Sequence, residues 1–139
     1  MEKTEKKFKE WCNKNSFFCK KFLTHTSQGN GGKQESDFLF CSNEKVYLVE
    51  CKERHGDLFA FDDLTQEKKL LNVVKKTNLL NPYILLNFIE HKTIILLTLD
   101  KYFKLKENSK FNSGKQRKSI NIKDISLEYK FTWKNLKFK

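Results

Sequence analysis

Two nearly continuous apolar runs, Tyr83 to Ile89 and Thr93 to Leu99, are separated only by the polar turn Glu90 to Lys92. An amphipathic helix or a half-solvated strand interrupts its apolar residues at fixed intervals, whereas runs of this kind are typical of strands buried on both sides. They read as the core strands of a sheet covered on each face, which makes the expected fold class α/β. At 139 residues the chain has the length of one domain with a real core, residues 1–139, and is too short for two.

The other elements follow from local pattern. From Glu2 to about Lys14 helix formers run throughout, with Phe8, Trp11 and Cys12 at the i, i+3, i+4 spacing of one face. At the helical step Glu5 lies only about 20° from Cys12, on the side the helix buries, which makes it the odd charge. Phe17 to about Thr26 reads as a strand, and Ser27 to Lys33 as a flexible polar loop carrying three of the five glycines. Asp37 to Cys41 and Lys45 to Lys52 read as a hairpin of two strands. Alternation puts Asp37, Leu39 and Cys41 on one face of the first, and Val46, Leu48, Glu50 and Lys52 on one face of the second. After a turn at Arg54 to Asp57, Asp62 or Asp63 caps a helix with Leu64, Leu70, Leu71, Val73 and Val74 on its apolar face, ending near Asn78. The expected order is helix, three strands, helix, two strands, in a mixed sheet, with a core over about 1–100 and a basic C-terminal extension over about 101–139.

Charge is distributed unevenly. Residues 1–33 are net +5, residues 34–100 net −3 and residues 101–139 net +9, for +11 in all. An acidic middle between basic flanks suits a polyanionic partner held by the flanks while the middle does something that needs carboxylates. Of the 28 basic residues 26 are Lys, which a coding bias toward Lys, Asn and Phe also explains. The four cysteines, at 12, 19, 41 and 51, match no zinc template and read as reduced thiols. No apolar stretch reaches the roughly 18 to 20 residues of a membrane span, and the first ten residues lack the apolar segment of a signal peptide. The expectation is a soluble, non-secreted protein of the cytoplasm, nucleoid or viral factory, with no membrane partner.

Within the acidic middle, Asp37 is followed thirteen residues later by Glu50-Cys51-Lys52. In a hairpin the start of one strand meets the end of the next, so the three charged groups converge despite their separation in sequence. Two adjacent carboxylates make a hard oxygen site for Mg²⁺, and a lysine along the same face adds a cation beside it. Phosphodiester hydrolysis asks for that set: a metal to polarise the phosphate and acidify its bound water, and an ammonium to orient the water or stabilise developing charge. An acid pair and a lysine on neighbouring strands also arise as a surface charge pattern.

Ser36-Asp37-Phe38, a turn, and Val49-Glu50-Cys51-Lys52 resemble the signature of the PD-(D/E)xK nuclease superfamily. The resemblance implies a restriction-endonuclease-like core, a mixed sheet flanked by helices, with Asp37 and Glu50 as metal ligands and Lys52 activating or positioning the attacking water. Gln66 stands where several branches carry a supporting glutamine, and Glu5 fits the helix-one glutamate that ligates or supports the metal; the Cys51 backbone carbonyl is a further ligand. Order of elements and the late segment Gly114 to Ile120 are similar to RecU-type Holliday junction resolvases, over roughly residues 35–125. That family is longer before the acidic motif than the present chain, and the superfamily motif has Pro where Ser36 stands. The resemblance implies Mg²⁺ or Mn²⁺ as cofactor and DNA, in particular four-way junctions, as partner, with Lys33, Lys115, Arg117 and Lys118 as backbone contacts. Two symmetric cuts imply a homodimer. A sequence-specific homing or restriction endonuclease, and a non-catalytic DNA- or RNA-binding module, are the alternatives.

Overall fold

A computed structural model describes residues 2–22, 36–42, 44–61 and 80–138. The chain is α/β, built on a mixed six-stranded sheet. Helix α1 (Glu2–Lys14) leads into strands β1 (Phe18–Phe22), β2 (Ser36–Ser42) and β3 (Lys45–Arg54), which form an antiparallel meander. Short β4 (Leu58–Ala60) follows, then β5 (Leu80–Phe88) and β6 (Thr93–Thr98). β5 lies parallel to β3 and antiparallel to β6, so the sheet order is β1-β2-β3-β5-β6, with β8 (Lys130–Phe131) on the β6 edge. The helix expected over about 62–78, and with it Gln66, lies outside the described residues, as do Lys33 and the glycine-rich loop.

The sheet is buried on both faces, as the two apolar runs require. One face packs Phe8, Trp11 and Cys12 of α1 against Phe38, Phe40, Val49, Leu85 and their neighbours. The other packs Leu48, Ile84, Leu86, Ile95 and Leu97 against a cover made by Tyr102 and by β4 with β7 (Ser119–Asn121), a separate two-stranded sheet. Cys12 and Cys51 are buried in the first cluster, and none of the four cysteines is in a disulfide. A hydrogen bond between Cys12 and Cys19, together with burial, pushes the Cys12 thiol up, while the same bond holds Cys19 below its ordinary value against the opposing effect of burial.

The chain after residue 100 departs from the expected extension. Helix α2 (Leu99–Asn108) starts where Thr98 accepts from the Lys101 N–H through its hydroxyl, and Leu99 and Tyr102 are buried beneath it. The apolar run through Leu99 conceals that start, because its last residue belongs to the helix. Further on, β8 extends the sheet, Leu136 is buried, and the Phe138 ring lies 4.8 to 5.6 Å from those of Phe40, Tyr47 and Tyr83. The alternating Lys and aromatic residues therefore place aromatics on the core and lysines in solvent, and the C-terminal residues are part of the fold. No helix among the described residues is long and apolar enough to cross a membrane.

Because Phe138 joins an aromatic cluster that also holds Phe8 and Trp11, Phe138→Ala is expected to lower stability by about 2 to 4 kcal/mol. Urea denaturation measures this, and an unchanged midpoint would show the C-terminal segment to be a dispensable tail.

Candidate active site

The pairing of β2 with β3 sets Asp37 directly across from Glu50, and Ser36 across from Cys51. Alternation along β3 then sorts its side chains. Tyr47, Val49 and Cys51 enter the cluster under α1, whereas Leu48 enters the opposite one, and Glu50 and Lys52 follow Leu48 on that second face. Two residues along a strand span about 7 Å, which keeps the carboxylate and the ammonium within reach of a common group. Glu50 is fully buried and Lys52 is 7% exposed. Both stand among the apolar residues of a central strand, with Ile84 and Leu86 of β5 beside them. Charged side chains are almost never buried so deeply unless other groups or an ion compensate them.

Among the described residues β2 pairs with β3 from Lys45 to Cys51, and β5 pairs with β3 from Val46 to Arg54. Arg54 continues the same alternation. Its guanidinium lies 5.1 Å from the centre of the Phe59 ring, in the cluster on the Glu50 face, and its Nη1 donates to the Glu53 carbonyl at 2.7 Å. Arg54 was missed in the sequence, although continuing the two-residue period beyond Lys52 finds it.

Glu5 does not join this group. Its carboxylate accepts from Lys21 Nζ at 2.8 Å, and Lys9 Nζ lies 3.6 Å away. Lys21 pairs with Phe38, and Phe38 with Val49, which places Glu5 on the α1 face of the sheet. Helical periodicity correctly turns Glu5 inward, to 17% exposure, but does not say which face of the sheet the helix will cover. The same face holds a polar network that sequence reading did not find. Thr4 donates to Glu53 Oε1 at 2.7 Å, and Asn87 Nδ2 donates to Thr4 Oγ1 at 3.0 Å.

Lys115, Arg117 and Lys118 are exposed on the excursion between α2 and β7. A tight turn shapes it: the Gly114 N–H donates to the Phe111 carbonyl at 2.8 Å, and Gly114 takes φ +86, a conformation that other residues adopt with strain. Gln116 Nε2 donates to the Lys106 carbonyl at 2.8 Å, and the Arg117 guanidinium stacks 4.6 Å over the half-exposed Phe111 ring. The excursion leads into β7, so it belongs to the layer covering the Glu50 face.

Asp37 and Glu50 stand at one register position of the β2–β3 pairing, and carboxylate oxygens are the donors Mg²⁺ takes while keeping several of its waters. Among the described residues no group of three or more His, Cys, Asp or Glu side chains could hold a metal ion. Comparison of the sequence with protein-family models and with curated proteins returns no match.

Just past Arg54, at the same end of β3 as Lys52, two histidine–carboxylate pairs tie the following loop to the β5–β6 turn. His55 Nδ1 lies 3.1 Å from Glu90 Oε2, and His91 Nε2 lies 2.5 Å from Asp57 Oδ1. Desolvation raises the Glu90 pKa, but the Gly56 N–H, the Glu90 N–H and His55 together outweigh it and hold the carboxyl below its ordinary value. A carboxyl depressed in the folded state adds stability above its unfolded pKa, and that stability fades as pH falls through the folded one. Glu90→Gln is therefore expected to be slightly less stable than wild type at neutral pH, with the two converging below the carboxylate range. Thermal unfolding across that range checks it, and a difference that grows on acidification would contradict it.

Proposed function

We propose that this chain is a metal-dependent DNA endonuclease of the PD-(D/E)xK type, with a restriction-endonuclease-like core. The observation that carries the reading is the register of Asp37 opposite Glu50, with Lys52 next along the same face of β3. An antiparallel β1-β2-β3 meander with β5 parallel to β3 supports it, since that arrangement delivers the acidic motif and the lysine to one place.

In this reading Asp37, Glu50 and the Cys51 carbonyl hold a divalent ion, Mg²⁺ or Mn²⁺. That ion supplies charge to polarise the phosphate and lowers the pKa of a bound water. Lys52 is held along the strand by its neighbours, so its ammonium is positioned before the substrate arrives. There it orients the attacking water or stabilises the negative charge that develops on the phosphate oxygens. Low local dielectric strengthens that interaction, because Lys52 has little contact with solvent. Lys115, Arg117 and Lys118, on the layer over that face, contact the DNA backbone. Gln66 keeps the supporting role that the resemblance gives it, and Lys33 is a further candidate contact to the nucleic acid. Glu5 is left out of the metal site by its ion pair with Lys21.

Four-way junctions are the proposed substrate, on the strength of the segment Gly114 to Ile120, and paired cuts then call for two sites in a homodimer. A resolvase reads shape and a sequence-specific enzyme reads bases, so cleavage of a synthetic junction beside linear duplexes of many sequences separates the two.

Asp37→Asn and Lys52→Ala are each expected to reduce Mg²⁺-dependent cleavage by about a hundredfold or more while DNA binding changes little. Wild-type protein that leaves every DNA intact in Mg²⁺ and Mn²⁺ would refute the reading. Replacing Lys115, Arg117 and Lys118 by Ala should weaken duplex binding and reduce its salt slope by about 0.9 per cation removed.

A further inference from the structure

The α1 face of the sheet carries a second basic feature, remote from the carboxylates in the layering of the fold. Between α1, the β5–β6 turn and the turn after β8 lies a cavity of about 560 Å³ whose walls include Lys7, Asn87, Lys92, Trp133 and Lys134. A neighbouring cavity of about 240 Å³ shares Lys7, Trp133 and Lys134 and adds Trp11 and Lys14. The two are parts of one groove with Trp133 as a common wall.

The turn holding Trp133 is well defined. The Thr132 N–H donates to Asn135 Oδ1 at 2.6 Å, and the Asn135 N–H donates to the Thr132 carbonyl at 3.2 Å. Trp133 packs one part of its indole on the aromatic cluster under α1 and leaves the rest accessible. Lys7, Lys92 and Lys134 are all exposed and reach the larger cavity from three separate segments. No carboxylate is among its lining residues, and the smaller cavity has only Glu10. The larger volume falls within the range of about 300 to 1,000 Å³ usual for ligand pockets. An aromatic face flanked by ammonium groups fits a base and its adjoining phosphates, with stacking for the base and counterion release for the phosphates. A base inside a duplex presents its edges and not its face, so it cannot stack on an indole held in a groove.

We propose that this groove binds single-stranded nucleic acid, with a base stacked on Trp133 and phosphates on Lys7, Lys92 and Lys134. The site is independent of the proposed cleavage chemistry and is tested without it. In EDTA the full-length protein is titrated with a short oligothymidylate while tryptophan fluorescence is followed. Quenching is expected, and Trp133→Phe should remove most of it, since Trp11, the other indole lining the groove, is only 8% exposed. Trp133→Ala should weaken binding about tenfold or more. The exposed double substitution Lys7→Ala with Lys134→Ala leaves the core untouched and should lower the salt slope by about 0.7 per lysine. No binding to the oligonucleotide, equal affinity for these variants and wild type, or tighter binding to the matching duplex would each overturn the proposal. Cleavage failing in Mg²⁺ leaves this result unaffected, so the two readings fall separately.

Discussion

Nine consecutive residues of β3 pair in parallel with β5, from Val46 with Leu80 to Arg54 with Phe88, while seven residues of β2 pair with the other edge of β3. A strand bonded on both edges and covered on both faces cannot slip. Moving it by one residue would exchange Tyr47, Val49 and Cys51 for Leu48, Glu50 and Lys52, driving two charges into the aromatic cluster beneath α1. The apolar pattern that fixes the core thus also fixes Glu50 opposite Asp37. Packing and candidate site are one constraint seen from two faces of the same strand.

What could be read in the sequence and what could not divides along that line. The two-residue alternation of β2 and β3 and the apolar runs of β5 and β6 are local signals, and each locates its element to within two or three residues. Helix α2 had a signal too, the Thr98 cap followed by Leu99 and Tyr102, but it was hidden by the continuity of the apolar run. The C-terminal aromatics lacked any such signal. Phe138 packs on Phe8, Phe40 and Tyr47, between 91 and 130 positions earlier, and only tertiary contact distinguishes a buried aromatic from one on a solvated lysine face. Glu5 shows the same limit, because helical spacing gives the buried side of α1 but not the face of the sheet it packs against.

Folding also rearranges the charge read along the chain. The basic N-terminal helix and the basic C-terminal turn come together under one face of the sheet, joined through Trp11, Phe8 and Phe138. The excursion with Lys115, Arg117 and Lys118 leads to the other face through β7. The positive charge is thus divided between two surfaces, and the acidic middle supplies the strands between them. A polyanion approaching from either side meets cations first, which raises its local concentration and is screened by salt.

The burial of Glu50 and Lys52 is hard to explain by stability alone. Their neighbours Leu48, Ile84 and Leu86 form an apolar surface, in which a charged side chain carries a desolvation cost that an aliphatic one in the same place would not. A chain selected only to fold would have continued Leu48 with further aliphatic residues. Charges stand instead where the local pattern disagrees with the global one, and such disagreements concentrate at functional sites. Their placement along the strand has the same sense. Glu50 is fully enclosed, Lys52 nearly so and Arg54 half-buried, so burial relaxes toward the end of β3. The enclosed carboxylate comes first along the strand and the cations follow toward its end, which in the proposed reading puts the ion deepest and the arriving anion nearer solvent.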